Sequence, residues 1–236
     1  MTTSRAAVPR RVISHPRLGP LMNVGILGSG PVGMSLGEGF ARTGHDVKLG
    51  SRTPDKSDLR EWRAKTNGKV STGTFAEAAA HGQAIILCSL GAAAEAVIDL
   101  AGPNRFDGKV LIDVTNPLDF SRGMPPGLFV GTTDSLAERI QRKLPKAKVV
   151  KCFNIVNNRT MIHPGMKEGL PDMLICGNDD GAKRQVAGFL KELGWGEPVD
   201  VGGIDGARWL EALTALWVRA ATAIGSWSIA FKVLRS

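Results

Sequence analysis

The stretch GILGSGPVGMSLGEGFARTGHDVKLGSR, Gly25–Arg52, decides how this chain is read. It holds Gly28, Gly30 and Gly33 as a complete GxGxxG, directly after a short apolar run and at the opening of a helical pattern. In that context each glycine has its own task. Gly28 makes a tight turn, Gly30 lets the backbone approach a pyrophosphate, and Gly33 lets the helix close on the strand. The segment Ser29, Gly30, Pro31 and Val32 then opens a helix, where backbone amides and the helix dipole favour an anion. The stretch predicts a βαβ unit that binds a dinucleotide.

The end of the stretch selects which dinucleotide. Sites that prefer NAD carry Asp or Glu after the second strand to hold the adenine ribose hydroxyls. No acid occurs from Val47 to Pro54; Gly50, Ser51 and Arg52 stand there, and Lys56 follows. A carboxylate would repel a 2′-phosphate, whereas Ser51 offers a hydroxyl and Arg52 a planar, charge-assisted contact. Lys56 adds a second positive charge. NADP(H) is the expected cofactor.

Outward from this unit, β-rich runs alternate with helical patterns: NVGIL, HDVKLG, KVST, AIILCS, KVLIDV, AKVVKCF, DMLICG and EPVDVG, with helices between them over 32–42, 58–67, 75–80, 92–101, 135–143 and 180–193. That alternation predicts an α/β fold of the doubly wound, Rossmann type with a mostly parallel sheet. The domain spans 22–203. From 204 to 236 the pattern changes: Leu210, Leu213, Trp217, Ala220, Ile224, Trp227, Phe231 and Leu234 are spaced three and four apart, which predicts one long helical tract. Arg219 in its middle argues against a membrane span. The tract is expected to pack on the domain or on a second copy in a homodimer.

Net charge is +8, but Arg5, Arg10, Arg11 and Arg17 supply four of these in the first 21 residues, leaving +4 for the rest. Residues 1–21 read as a disordered basic extension. The remainder is only mildly basic and has no tyrosine, which gives neither the basic stripe nor the stacking platform of a nucleic-acid binder. An anionic small molecule suits the charge better. Cys88, Cys152 and Cys176 are far apart in apolar runs, so they read as buried reduced thiols in a cytoplasmic protein. Asp179 and Asp180 read as a helix cap. His45 reads as structural and His163 as a surface-loop residue.

With these residues in hand, the chain resembles the NADP oxidoreductases that use the deazaflavin coenzyme F420, and the related reductase domain of the six-transmembrane metalloreductases. The likeness rests on GSRTPDK, SRG at 121–123, SLAERI at 135–140, VVKCFN at 149–154, ICGNDDGAKR at 175–184, DGARWLEALTALWV and a closing FKVL. The resemblance implies that Ser51, Arg52 and Lys56 hold the 2′-phosphate. It implies equally that Ser89 and Leu90, together with Asn116 and Pro117, line the nicotinamide pocket. It places Asn154 in the segment where F420-reducing relatives generally carry a His; this chain instead reads FN, as the metalloreductase branch does. The implied acceptor is therefore a flavin, a deazaflavin or a small organic molecule, reached by hydride transfer, for which no catalytic acid or base is singled out and no metal is expected. A dinucleotide-binding module without its own catalysis, a redox sensor or a reductase component, is the alternative class.

Overall fold

The computed structural model describes residues 19–234. The first five strands are parallel: β1 (Asn23–Leu27), β2 (Asp46–Gly50), β3 (Lys69–Gly73), β4 (Ala84–Leu87) and β5 (Val110–Asp113). The sheet continues through β8 (Lys148–Lys151), β9 (Leu174–Gly177) and β10 (Val199–Asp200), while β6 (Leu118–Asp119) and β7 (Gly127–Leu128) form a separate two-stranded hairpin. The order across the eight-stranded sheet is β3-β2-β1-β4-β5-β8-β9-β10. Pairing is parallel throughout, except that β8 and β9 run antiparallel. The direction of winding reverses between β1 and β4. Ligands of open α/β sheets bind at that switch point, outside the carboxyl ends of the strands.

The helices are α1 (Pro31–Arg42), α2 (Ser57–Lys65), α3 (Phe75–His81), α4 (Ala94–Ala101), α5 (Leu136–Lys143), α6 (Asn158–Ile162), α7 (Asp180–Glu192) and α8 (Ala207–Ile224). They cover both faces of the sheet because the inner strands are apolar on both. Alternate strand residues sort accordingly. Ile26, Ile86, Ile112 and Val150 join Leu36 and Phe40 of α1 and Phe189 of α7 in one core. Leu27, Ile85, Leu111 and Val149 join Ala78 of α3, Ile98 of α4, Ile140 of α5 and Leu210 of α8 in the other. Each wholly buried Leu or Ile contributes about 1.5–3 kcal/mol, so the strands that carry the site are held from both sides.

Caps set the helix starts. Thr74 and Glu77 close a reciprocal capping box on α3, Ser135 accepts the Glu138 amide on α5, and Asp179 accepts the Ala182 amide at 2.7 Å on α7, as the sequence suggested. The single turn α6 escaped the sequence reading because five residues are too few for a period; the Asn157 side chain nucleates it by accepting from Arg159 and Thr160. His45 is buried, accepts from the Met22 amide and donates to Glu192 at 2.8 Å, a structural role.

The C-terminal expectation needs correction. α8 ends at Ile224, where Gly225 adopts φ 71° and caps the helix in the left-handed region. Residues 226–234 leave the helix and follow an irregular path back against the fold, with a bend at Trp227. Trp217 donates to Ile229 O at 2.9 Å, the Asp172 amide donates to Phe231 O, and the Val233 amide donates to the Asp172 carboxylate. Trp227 stays half exposed with its ring 5.7 Å from that of Trp217, and Phe231 is half-buried, so the three-four spacing in the sequence does not mark one buried helical stripe. Of the residues read as an N-terminal extension, 1–18 lie outside the described residues.

Candidate active site

The carboxyl ends of β1, β2, β4, β5 and β8 bring the site together. After β1, Gly28 takes φ 144°, and a Cβ there would fall 2.8 Å from the Cys88 carbonyl oxygen. A Cβ on Gly33 would fall 1.9 Å from Gly28 O, so only glycine lets α1 close on the turn. Gly30 differs: a Cβ there would meet no protein atom within 4 Å. The loop is therefore tight on its protein side at Gly28 and Gly33 and open at Gly30, which is the cradle a diphosphate requires. Pro31 has no N–H to offer; it occupies the first turn of α1, where its fixed φ suits the helix start. The anion-facing donors reduce to the amides of the exposed Gly30 and the half-buried Ser29 and Val32.

After β2, buried Ser51 accepts a hydrogen bond from Ser29 Oγ at 3.1 Å and another from the Thr53 amide at 3.1 Å. The first two loops are thus tied hydroxyl to hydroxyl. Arg52 is exposed on the same turn. Lys56 reaches back toward Ser29 O at 3.5 Å, yet it also pairs with Asp58 at 3.0 Å, so its charge is already shared with a carboxylate.

After β4 and β5, the loops touch. A Cβ on Gly91 would fall 1.9 Å from Asn116 O, so the loop after β4 lies directly against half-buried Asn116, while Pro117, expected to line the pocket, is buried behind it. Leu90 is 80% exposed, unusual for leucine next to a core strand. Ser89 donates to Leu90 O at 3.2 Å and braces the turn. After β8, Phe153 takes φ 64°, a left-handed backbone in a wholly buried aromatic residue. That turn directs Asn154 toward β5 and α8. The Asn154 side chain is only 4% exposed. Its Nδ2 lies within 3.0 Å of Asn116 Oδ1, Leu210 O and Thr214 Oγ1, while its Oδ1 has no partner among the described residues.

Beneath this polar group lies a charged one. Lys151 Nζ is 2.9 Å from both Asp113 Oδ2 and Glu211 Oε1, and it donates to Thr115 O. Asp113 also accepts from the Thr115 amide and hydroxyl, and Glu211 from the Leu136 and Ala137 amides that open α5. One cation faces two anions; the amides and dipole at the α5 N-terminus offset the remaining charge. Burial alone would pull the Lys151 pKa down, but Asp113 and Glu211 outweigh it and raise it above the ordinary lysine value.

No motif in the sequence assigns a role to Lys151, Asp113, Glu211 or Thr214. A signal existed in VVKCF, where a lysine interrupts a strand whose both faces must be covered and therefore requires a buried counterion. Its partners come from 38 and 60 residues away, which no local pattern joins.

Elsewhere, His163 is exposed and accepts from Arg42 at 3.0 Å, far from the strand ends that carry the site. The three cysteines are free thiols; Cys152 and Cys176 are buried as expected, but Cys88 is only half-buried, because it follows β4 against the glycine loop, and desolvation pushes Cys88 and Cys176 up to about 12. Among the described residues, no helix is long and apolar enough to cross a membrane, and no His, Cys, Asp and Glu cluster could hold a metal ion.

A family model, NADP oxidoreductase, coenzyme F420-dependent, matches residues 23–117. Over a longer span, the chain is 38% identical to a protein of known crystal structure from Arthrobacter sp. FB24, assigned provisionally as an F420-dependent NADP reductase. That likeness covers 91% of this chain and 100% of the other, with a TM-score of 0.87. The chain belongs to the F420-dependent NADP oxidoreductase family. It is thus an NADP-dependent oxidoreductase by class, on the α/β fold expected from its sequence. Within the wider family, it is 28% identical over 214 residues to the F420-dependent NADP reductase of Methanothermobacter marburgensis, covering 84% of this chain and 91% of that one. It is 30% identical over 201 residues to Metalloreductase STEAP3 of Rattus norvegicus, covering 80% of this chain but 36% of that relative. The chain therefore spans about a third of the length of the metalloreductase it matches.

Proposed function

We propose that this chain binds NADPH across the carboxyl ends of its strands and exchanges hydride between it and a flavin, a deazaflavin such as F420, or a small organic acceptor. The observation that carries this reading is the junction of Ser29 and Ser51, hydroxyl to hydroxyl at 3.1 Å, with Arg52 exposed on the same turn and no carboxylate from Val47 to Pro54. A 2′-phosphate finds two hydroxyls and a guanidinium there; the ribose diol of NAD lacks its usual carboxylate partner.

A bound nicotinamide supplies the hydride, and the protein supplies position. The open face of Gly30 and the first-turn amides of α1 receive the diphosphate. Leu90 offers an apolar face and Asn116 a polar edge, with Pro117 buried behind it, at the ends of β4 and β5. Asn154 acts from below, through its bond to Asn116. No step assigned to the protein moves a proton, in keeping with chemistry that asks for stacked, oriented rings.

Titration with NADPH and NADH, followed by NADPH oxidation with F420, free FMN and ferric citrate in turn, tests the reading. Preference for NADPH with turnover of F420 or FMN supports it. Equal affinity for both nucleotides would sink it, whereas tight NADPH binding with no turnover would favour a binding module or reductase component. The exposed Trp209, Leu216 and Ile224 of α8 support a homodimer, which a monomer in light scattering at micromolar concentration would overturn.

A further inference from the structure

Three short segments each contribute one residue to the buried charge cluster and one to the polar group above it. Thr115 precedes Asn116, Lys151 precedes Asn154 by three residues, and Glu211 precedes Thr214 by three on one face of α8. Lys151 joins the lower members. Thr214 joins the upper ones: its Oγ1 lies 3.0 Å from Asn154 Nδ2, and its single hydroxyl hydrogen has Asn116 Oδ1 as its nearest acceptor at 2.9 Å, ahead of Asn154 O at 3.0 Å and Leu210 O at 3.2 Å. Asn116 and Asn154 are also paired directly, since Asn116 Nδ2 donates to Asn154 O and Asn154 Nδ2 donates to Asn116 Oδ1, each at 3.0 Å.

These contacts fix which way the Asn116 carboxamide faces. Its Oδ1 is turned to two donors, Asn154 Nδ2 and the Thr214 hydroxyl, and one hydrogen of its Nδ2 is used by Asn154 O. The second hydrogen remains for a ligand. Asn116 is the half-buried member of the trio, while Asn154 and Thr214 are 4% and 3% exposed and touch a ligand only through it. We infer that Thr214, anchored on α8 by the Glu211–Lys151–Asp113 cluster, is a positioning residue that holds the Asn116 carboxamide N–H toward the nicotinamide end of NADPH. Without its hydroxyl, Asn116 Oδ1 keeps one donor of two, and the amide can turn its oxygen outward.

The inference rests on the proposed NADPH site, and its test separates the two. Calorimetric titration of the parent, Thr214→Val and Thr214→Ser is carried out with NADPH and with 2′,5′-ADP, which carries the same ribose phosphate but no nicotinamide. Valine keeps the shape and removes the hydroxyl. Thr214→Val is expected to bind NADPH about tenfold more weakly, the scale of one hydrogen bond to a fixed group, and to bind 2′,5′-ADP as the parent does. Thr214→Ser is expected to restore NADPH affinity. Parental NADPH affinity in Thr214→Val overturns the inference, as does an equal loss for both ligands, which marks a merely structural role. A parent that binds neither ligand overturns the NADPH site itself, and the inference with it.

Discussion

Lys151 Nζ and Glu211 Oε1 meet at 2.9 Å with both side chains at or below 2% exposure, so the strand β8 is joined to the helix α8 by an ion pair sealed from water. Asp113 completes it from β5. Water cannot compensate if one partner is lost.

Lys151→Met is therefore expected to destabilise the fold by about 3–5 kcal/mol, the cost of leaving buried charge unpaired. Urea unfolding measures it. Adding Glu211→Gln to that variant removes one of the two orphaned anions and should recover part of the loss; no recovery would mean that packing rather than charge holds this junction.

The same lysine sets an alkaline limit. Because its folded pKa is raised by Asp113 and Glu211 against the effect of burial, its contribution is fully present below the unfolded value of about 10.4 and is lost as pH rises through the folded value. The parent should lose stability above about pH 10.4, and Lys151→Met should lose less over the same range. Parallel curves for the two proteins would remove Lys151 from the explanation.

Arg52→Ala is expected to weaken NADPH binding by about 1.5–3 kcal/mol, the worth of a hydrogen bond to a charged group, with little change for NADH. The difference should shrink as salt is added, because Arg52 is exposed and its field is screened. Titrations at two ionic strengths decide it. Lys56→Ala should cost less than Arg52→Ala, since Asp58 already engages that ammonium at 3.0 Å.

The glycines of the first loop separate binding from folding. Gly33→Ala puts a Cβ 1.9 Å from Gly28 O and should lower the melting temperature along with nucleotide affinity. Gly30→Ala meets no protein atom within 4 Å, so the fold should melt as the parent does while NADPH affinity falls. Unchanged affinity in Gly30→Ala would show that the phosphates lie elsewhere.

Two of the thiols should be silent. Burial holds Cys176 near 12 and Cys152 well above its ordinary value, and both side chains are shut away from solvent, so iodoacetamide at about pH 8 should leave these two unmodified in the native protein, while half-buried Cys88 should be the first to react. In denaturant all three should react, and mass spectrometry counts the adducts.

The sequence by itself determined the strand-helix alternation, the winding and the tight glycine turn between β1 and α1, because these rest on local causes. A GxGxxG between strand and helix states its own geometry, β4 announces its burial by four apolar residues in a row, and Asp179 marks the start of α7 where it stands. The Ser51 and Arg52 turn was legible for the same reason: it follows its strand directly. The end of α8 was only half legible. Gly225 stops the helix, but Trp227 and Phe231 keep the apolar spacing because the chain turns back over Trp217 and pairs with Asp172. Only the tertiary structure decided what lies under the proposed nicotinamide end of the site. Lys151, Asp113 and Glu211 read singly as ordinary charges on a strand, a strand end and a helix, and Asn154 as a site residue with no sign that it would be buried. Folding brings them from three distant segments into one dry space. There a charge without a partner is too costly to keep, and each side chain's role is set by which others it meets.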